Sequence, residues 1–180
     1  RMETPMLREM SCVGSQLPSS HDFAALLAAA NPAPAASVDE DEVCLLLYSA
    51  GLRPGELRAV PHCKRTIAVA NESFARDFLA LTSADRVLSV ARLSTADGVG
   101  AGLLLPLLVR AEAQLLPQQP HSQPVFDAVA SYAPTVLFAT PSLYAQLVHD
   151  AEAKQLERPL APLRHAVAGA EGMPARLIPR

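Results

Sequence analysis

The segment from Tyr48 to His62 has residue types and a spacing that could bind a phosphate. It begins at the end of an apolar run, continues through Ser-Ala-Gly, and precedes a helical pattern. A strand that ends in small residues before a helix can present backbone N–H groups to a phosphate. Arg53 and Arg58 could add guanidinium donors. This candidate phosphate loop has an alternative interpretation, a plain strand followed by a turn at Pro54-Gly55 and the start of a helix.

The elements that would position this loop alternate between strand and helix patterns. Such alternation predicts an α/β fold, with a mostly parallel sheet flanked by helices and right-handed crossovers. We predict strands over residues 43–48, 86–90, 113–116, 135–139 and 165–169. We predict helices over residues 23–30, 64–81, 98–109, 123–132, 141–153 and from 174 onward. Since ligands of open α/β sheets bind beyond the carboxyl ends of strands, the loops after Tyr48, Val90, Ala139 and Ala168 are the candidate binding loops.

The first strand and the first helix carry more specific expectations. The apolar run 43–48 is typical of a strand buried on both faces of a parallel sheet. His21 and Asp22 precede the first helix as its cap. Residues 1–38 are expected to form an irregular arm with this short helix and a Pro/Ala linker, and residues 39–180 the α/β domain.

Composition excludes several classes of function. The chain has 180 residues, half of them hydrophobic, and a formal net charge of −3. It has no run of Lys or Arg suited to nucleic acid and no apolar stretch long enough to span a membrane, so we expect neither partner and a cytoplasmic location. The three cysteines, Cys12, Cys44 and Cys63, lack metal-ligand spacing, as do His21, His121 and His149, so we expect no metal site.

Four stretches in order resemble the adenylate-forming superfamily, and within it the benzoate–CoA ligase branch. Tyr48, Ser49, Gly51 and Val60 match the family's phosphate loop, Y-S-S-G-S-T-G-x-P-K-G-V-V-H. The other three stretches are Asp85–Leu93 with Gly98–Gly100, Pro134–Tyr144, and Leu163-Arg164 with Ala168–Pro174. The resemblance covers about residues 23–180 and implies part of the large N-terminal domain of these enzymes.

Several positions of the phosphate loop depart from the family pattern. The two hydroxyl positions are Leu52 and Arg53, the middle glycine is Pro54, and the lysine position is Leu57. Proline has no N–H to offer a phosphate, and the loss of one preorganised donor costs enzymes about 10² to 10³ in rate. The resemblance leaves a remnant of the phosphate loop, formed by Tyr48, Ser49, Gly51, Arg53, Gly55 and Arg58.

The resemblance also implies a remnant of an acyl pocket. Its residues are Ala96, Asp97, Gly98, Ala168 and Gly169. Where the benzoate branch has F-F-A-Y, this chain has Ser-Thr-Ala-Asp, so Asp97 either makes the pocket more polar or caps the helix that begins near Gly98. Glu171 is expected to be a solvated loop acid, because no partner is evident that would make it a general base.

Three functions remain open from the sequence. The leading hypothesis is a degenerate, non-catalytic adenylation-like domain that serves as a structural, docking or dimerisation element and has no catalytic residues or cofactor of its own. The second is a part of an ATP-dependent acyl- or aryl-CoA, or acyl-carrier-protein, ligase, in which case ATP with magnesium and CoA are expected. The third is a binding module that keeps a pocket without turnover. A truncated sheet would expose edges and apolar faces, so we expect self-association or a protein partner.

Overall fold

A computed structural model describes residues 9–14, 17–50, 53, 55–117, 119–156 and 160–175 of the chain. The chain divides into two compact units, Arg1–Ser37 and Val38–Arg180. In the smaller unit, β1 (Ser11–Cys12) pairs in parallel with β2 (His21–Asp22), and α1 (Phe23–Ala29) follows directly. The Asp22 side chain accepts a hydrogen bond of 2.8 Å from the N–H of Ala24, which confirms the predicted cap.

The larger unit contains six strands and five α-helices among its described residues. In chain order its strands are β3 (Val43–Ala50), β4 (Leu57–Cys63), β5 (Arg86–Ser89), β6 (Glu112–Leu115), β7 (Val136–Ala139) and β8 (His165–Ala168). Its helices are α2 (Lys64–Ala70), α3 (Ala96–Val99), α4 (Leu105–Val109), α5 (Ser122–Tyr132) and α6 (Pro141–Ala153). The predicted helix from Pro174 runs into residues 176–180, which lie outside the described part of the chain.

The sheet is parallel and has helices on both faces, as predicted. Its strand order is β6-β5-β7-β8, and every neighbouring pair runs in the same direction. Successive residues of a strand point to opposite faces, so Leu88 and Leu137 pack with residues of α5 and α6, whereas Val87 and Val136 pack on the other side. Burial on both faces explains why β7 is a short continuous apolar run rather than an alternating one.

The prediction for the first strand is wrong about its pairing and its burial. β3 pairs antiparallel with β4 in a separate two-stranded sheet, and Val43 and Tyr48 are 54% and 59% exposed. The chain reverses near Gly55, whose φ of +80° suits glycine. We did not predict β4 because Arg58, Pro61 and His62 interrupt its apolar pattern. A proline can remain there since a two-stranded sheet has only edge strands.

Two of the predicted helices contain π-helical segments. α2 continues as a π-helix, Asn71–Phe78, which ends with the N–H of Leu79 bonded to the carbonyl of Phe74. A second π segment, Gly100–Leu104, joins α3 to α4. Because i→i+5 bonding widens the turn, each segment shifts the apolar face of the residues that follow it. Sequence periodicity predicted the positions of these helices correctly but could not distinguish α-helical from π-helical turns.

An ion pair ties together the amino ends of three parallel strands. Arg164 donates from Nε and Nη2 to the two carboxylate oxygens of Asp85, each at 2.7 Å, and Thr135 donates to Asp85 at 2.7 Å. The side chain of Asp85 is only 5% exposed, while that of Arg164 is 37% exposed. Arg164 also donates to the carbonyls of Leu79 and Ala80. The buried carboxylate therefore has donors on both of its oxygens, as a buried charge requires.

The Tyr144 side chain connects α6 to the parallel sheet through its hydroxyl group. Its hydroxyl donates to the carbonyl of Leu137 at 2.7 Å and lies 3.4 Å from the carbonyl of Val167. Burial raises the pKa of Tyr144 well above its usual range. The hydroxyl therefore stays protonated and remains a donor at the boundary between β7 and β8.

No helix in the described part of the chain is long and apolar enough to cross a bilayer.

We predict that Arg164→Gln will lower the free energy of unfolding by about 3 kcal/mol. Removing one partner of a buried pair costs roughly 3–5 kcal/mol, and the partial exposure of Arg164 favours the lower end. Urea denaturation would measure the change. Arg76→Gln is the matched control, because it breaks only an exposed pair with Glu72 and should cost less than about 1 kcal/mol. An equal decrease in the free energy of unfolding of the two variants would contradict the role given to Arg164.

Stability should also depend on the protonation of Asp85. The hydrogen bonds from Arg164 lower the pKa of Asp85 far below its ordinary value, against the opposing effect of burial. A lowered folded-state pKa stabilises the fold fully above the unfolded value near 4, and this contribution is lost as the pH falls from about 5 toward the folded pKa. The free energy of unfolding should therefore fall more steeply below pH 5 in the wild type than in Asp85→Asn. Parallel pH profiles from urea denaturation would overturn this prediction.

Candidate functional site

The site is a cavity of about 640 Å³ at the carboxyl ends of β5, β7 and β8. Ser89, Phe138 and Val167 line it from the strands, and Phe74 and Leu105 line it from the helical side. The loops after Val90, Ala139 and Ala168 all border this cavity, as expected for the carboxyl edge of a parallel sheet. The loop after Tyr48 does not belong to this group, because β3 is not a strand of the parallel sheet.

One wall of the cavity is a tight turn between β5 and α3. The N–H and the hydroxyl of Thr95 both donate to the carbonyl of Arg92, at 2.9 and 2.8 Å. The Thr95 oxygen in turn accepts from the N–H of Gly98 at 3.1 Å, which caps α3. Thr95 thus fixes both the turn and the start of the helix that carries Ala96 and Asp97.

Gly98 is buried where the helix meets this turn. A Cβ at position 98 would lie 1.9 Å from the carbonyl oxygen of Arg92 and 2.4 Å from its carbon. These are backbone atoms, which cannot move aside as the end of a side chain can. Glycine is therefore required here by the close approach of two backbone segments.

The opposite rim of the cavity is a polar cluster at the start of α6. Thr140 caps the helix by accepting from the N–H of Leu143, and its oxygen lies 2.9 Å from the oxygen of Ser142. Glu171 accepts from the N–H and the hydroxyl of Ser142, at 3.2 and 3.0 Å. Glu171 is an exposed loop residue, as expected, but it also has a hydrogen-bond partner that the sequence did not reveal, and its charge favourably meets the positive end of a helix. The missed signal was the Thr-Pro-Ser sequence at the predicted helix start.

The acyl-pocket remnant comes together at the cavity. Ala96, Asp97, Ala168 and Gly169 line it, and Gly98 lies directly behind the wall. The helix cap assigned to Asp97 is wrong, because the cap is Thr95 and Asp97 falls in the first turn of α3. The two positions are close in sequence and both carry oxygen acceptors, so the pattern alone could not separate them.

The described residues of the phosphate-loop remnant do not line the cavity. Tyr48 and Ser49 are in β3, and Ser49 is paired with Arg58 of β4. Arg53 and Gly55 are in the reversal between these strands, where Glu56 accepts a hydrogen bond of 3.2 Å from the N–H of Arg53. Gly51, Leu52 and Pro54 lie outside the described residues.

The charge of the cavity comes from two side chains. Arg92 and Asp97 are the charged residues of its lining, which is otherwise apolar or carries hydroxyl and amide groups. Across the described residues, no group of three His, Cys, Asp or Glu side chains is placed to hold a metal ion. This arrangement suits an organic ligand with an apolar body and a few polar groups.

Comparison with known proteins identifies the family. The AMP-binding enzyme family matches residues 4–180. The chain belongs to this family. It is 32% identical over 177 residues to a 4-hydroxybenzoate–CoA/benzoate–CoA ligase of Rhodopseudomonas palustris, covering 97% of this chain and 32% of the relative. It is 31% identical over 147 residues to a benzoate–CoA ligase of Thauera aromatica, covering 81% of this chain and 27% of the relative.

Solved structures of the AMP-binding enzyme family share the fold. An anthranilate–CoA ligase in complex with anthranoyl-AMP matches with a TM-score of 0.83 at 24% identity, over 96% of this chain and 33% of that one. A benzoate–CoA ligase of Burkholderia xenovorans LB400 matches with a TM-score of 0.73 at 27% identity, over 90% of this chain and 32% of that one. The chain thus spans about a third of the length of these relatives. The predicted α/β class and the resemblance to the benzoate–CoA ligase branch are both confirmed.

We predict that Gly98→Ala will destabilise the wall of the cavity. The added methyl group cannot fit beside the Arg92 carbonyl, and such overpacking costs roughly 1–3 kcal/mol. Gly100→Ala is the matched control, since a Cβ there meets nothing within 4 Å. Urea denaturation of both variants would measure the difference. Unchanged stability in Gly98→Ala would show that the turn relaxes easily.

Proposed function

We propose that this chain forms the carboxylic-acid pocket of an acyl- or aryl-CoA ligase. The observation that carries the proposal is the cavity at the carboxyl edge of the parallel sheet, in a chain whose relatives are aryl-CoA ligases. Its volume of about 640 Å³ is within the usual range of small-molecule sites. This supports the second of the three functions considered from the sequence over the leading one.

The lining of the cavity suits an aromatic or similarly apolar acid. Phe74, Leu105 and Phe138 offer apolar surface for the body of the ligand. Aromatic rings pack well against other rings in offset or edge-to-face arrangements. Ser89 and Gln146 add a few polar groups to this apolar lining.

The ligase reaction is assigned to the complete enzyme. Because the chain spans about a third of its relatives, the remaining machinery must come from further sequence. The complete enzyme would use ATP with magnesium to activate the acid as an adenylate and CoA to accept the acyl group. In the phosphate-loop remnant, the N–H of Arg53 already bonds to the carboxylate of Glu56, and this negative charge opposes a phosphate. The described residues there do not fit a phosphate, so we assign none of them to ATP.

The exposed apolar surface of the β3–β4 hairpin favours a second candidate, a non-catalytic docking element. The hairpin of β3 and β4 exposes large apolar side chains, among them Leu46, Tyr48 and Leu57. Exposed apolar groups close together are typical of surfaces that bind a protein partner or a second copy of the chain. In this candidate the hairpin would serve assembly, and the family pocket would be a vestige.

Ligand binding to the cavity tests the proposal. We predict that benzoate added to the chain will shift the amide NMR signals of residues around the cavity, and that Ala168→Trp will abolish these shifts by filling it. Ala166→Trp is the matched control, because Ala166 is an exposed residue of the same strand and does not line the cavity. Benzoate shifts that survive in Ala168→Trp, or no shifts with the folded wild type, would exclude the acid pocket and leave the docking element.

A further inference from the structure

Two free cysteines, Cys44 and Cys63, lie at the same end of the β3–β4 hairpin. Val43 pairs with Cys63 and Leu45 pairs with His62, so β3 has a bulge at Cys44. A bulge sets two residues of one strand opposite a single residue of the other. Antiparallel partners have Cα atoms about 4.5–5.5 Å apart, and disulfides form at Cα separations of about 4.4–6.8 Å. The register of the hairpin therefore brings the two cysteines to the spacing that a disulfide needs.

The thiol of Cys44 points across the hairpin to β4. Its S–H donates to the carbonyl of His62, with 3.6 Å between sulfur and oxygen. Because the peptide unit that joins His62 to Cys63 is planar and rigid, this contact keeps the Cys44 sulfur within about 6.5 Å of the Cys63 Cα atom. Rotation about the Cα–Cβ bonds of the two cysteines is then the main movement that would join the sulfurs.

The surroundings of Cys63 favour its thiolate. Cys63 precedes α2, where the N–H of Thr66 approaches the Cys63 sulfur and the Thr66 hydroxyl oxygen accepts from the Cys63 N–H at 3.0 Å. The hydrogen bond from the Thr66 N–H lowers the pKa of Cys63, against the opposing effect of desolvation. The thiolate is the form of cysteine that attacks an oxidant. Cys44 is exposed and Cys63 is half-buried, so a small oxidant can reach both.

We infer that Cys44 and Cys63 form a site of reversible oxidation, at which hydrogen peroxide converts the two thiols into a disulfide. The Cys63 sulfur attacks one oxygen of the peroxide, so that an S–O bond forms and the O–O bond breaks. The Cys44 sulfur then attacks the Cys63 sulfur, so that the S–S bond forms and the S–O bond breaks. The two thiol protons leave with the released oxygens, and the peroxide is reduced to two molecules of water.

The disulfide closes a ring across the hairpin. This ring contains the described residues of the phosphate-loop remnant and the exposed apolar side chains of β3 and β4. A cross-link between two ends of a segment restricts the conformations that the segment can adopt. Oxidation thus holds β3 against β4, and a thiol reductant releases them. Neither cysteine lines the cavity, so the inference does not depend on the proposed function.

Mass spectrometry of the peroxide-treated chain tests the inference. Cys12→Ser in the full 180-residue chain leaves Cys44 and Cys63 as its only thiols. The protein would be treated with hydrogen peroxide at low protein concentration and then alkylated with N-ethylmaleimide. We expect the monomer to lose both alkylation sites and to recover both after dithiothreitol. Trypsin should release the fragment Ala59–Lys64 joined to the fragment that contains Cys44, and dithiothreitol should separate the two.

A matched control moves one thiol along β3. Cys44→Ser combined with Tyr48→Cys, also in the Cys12→Ser background, keeps two thiols in the hairpin. Tyr48 is exposed and pairs with Ala59, four positions from Cys63. Strand residues rise about 3.3 Å each, so the moved thiol lies too far from Cys63 for a disulfide. Far-UV circular dichroism would show that each variant remains folded.

The possible outcomes decide the inference clearly. The loss of both thiols within one chain, seen with Cys44 and absent from the control, would establish the site. Two thiols that remain open to alkylation, sulfinic acids without a disulfide, or disulfides only between two chains would overturn it. Equal disulfide formation in the control would also overturn it, because the strand register would then not select the pair. The wild type supplies an independent measurement, since it should lose two of its three thiols in the monomer.

Discussion

The ion pair between Asp85 and Arg164 is the interaction on which the parallel sheet depends most. The two residues are separated by 79 positions in sequence, and each lies immediately before or at the start of a strand. With Thr135, which precedes β7, they connect the amino ends of β5, β7 and β8. Among the described residues, the opposite, carboxyl edge has no buried ion pair of this kind. The cavity can therefore form there without breaking a contact that holds the sheet together.

Sequence patterns predicted the elements of the sheet well because local residues determine them. A continuous apolar run marked β7, and Pro141 marked the start of α6. The ion pair between Asp85 and Arg164 could not be predicted from such patterns, because it depends on how distant segments fold together. The antiparallel hairpin was missed for a different reason. An apolar run like Val43–Tyr48 is compatible with a buried parallel strand and with an exposed hairpin strand, and only its partner decides between them.

The candidate site was predictable in part. The rule that ligands bind beyond the carboxyl ends of parallel strands brought together the loops after Val90, Ala139 and Ala168. The same rule failed for the loop after Tyr48, since its strand is antiparallel and belongs to another sheet. Side-chain roles were harder to predict than positions. Thr95 and Asp97 could each cap α3, and Glu171 could not be linked to Ser142 without knowledge of the fold.

The close contact between Gly98 and the Arg92 carbonyl determines which positions of the cavity wall tolerate substitution. Position 98 must remain glycine, because any side chain would force two backbone segments apart. Positions 96 and 97 border the cavity on the same short helix, and neither makes the close backbone contact of Gly98 or caps the helix. Substitutions at these two positions can alter the ligand while the backbone stays in place. A rigid glycine contact thus allows an adjacent pair of residues to diversify without a loss of the fold.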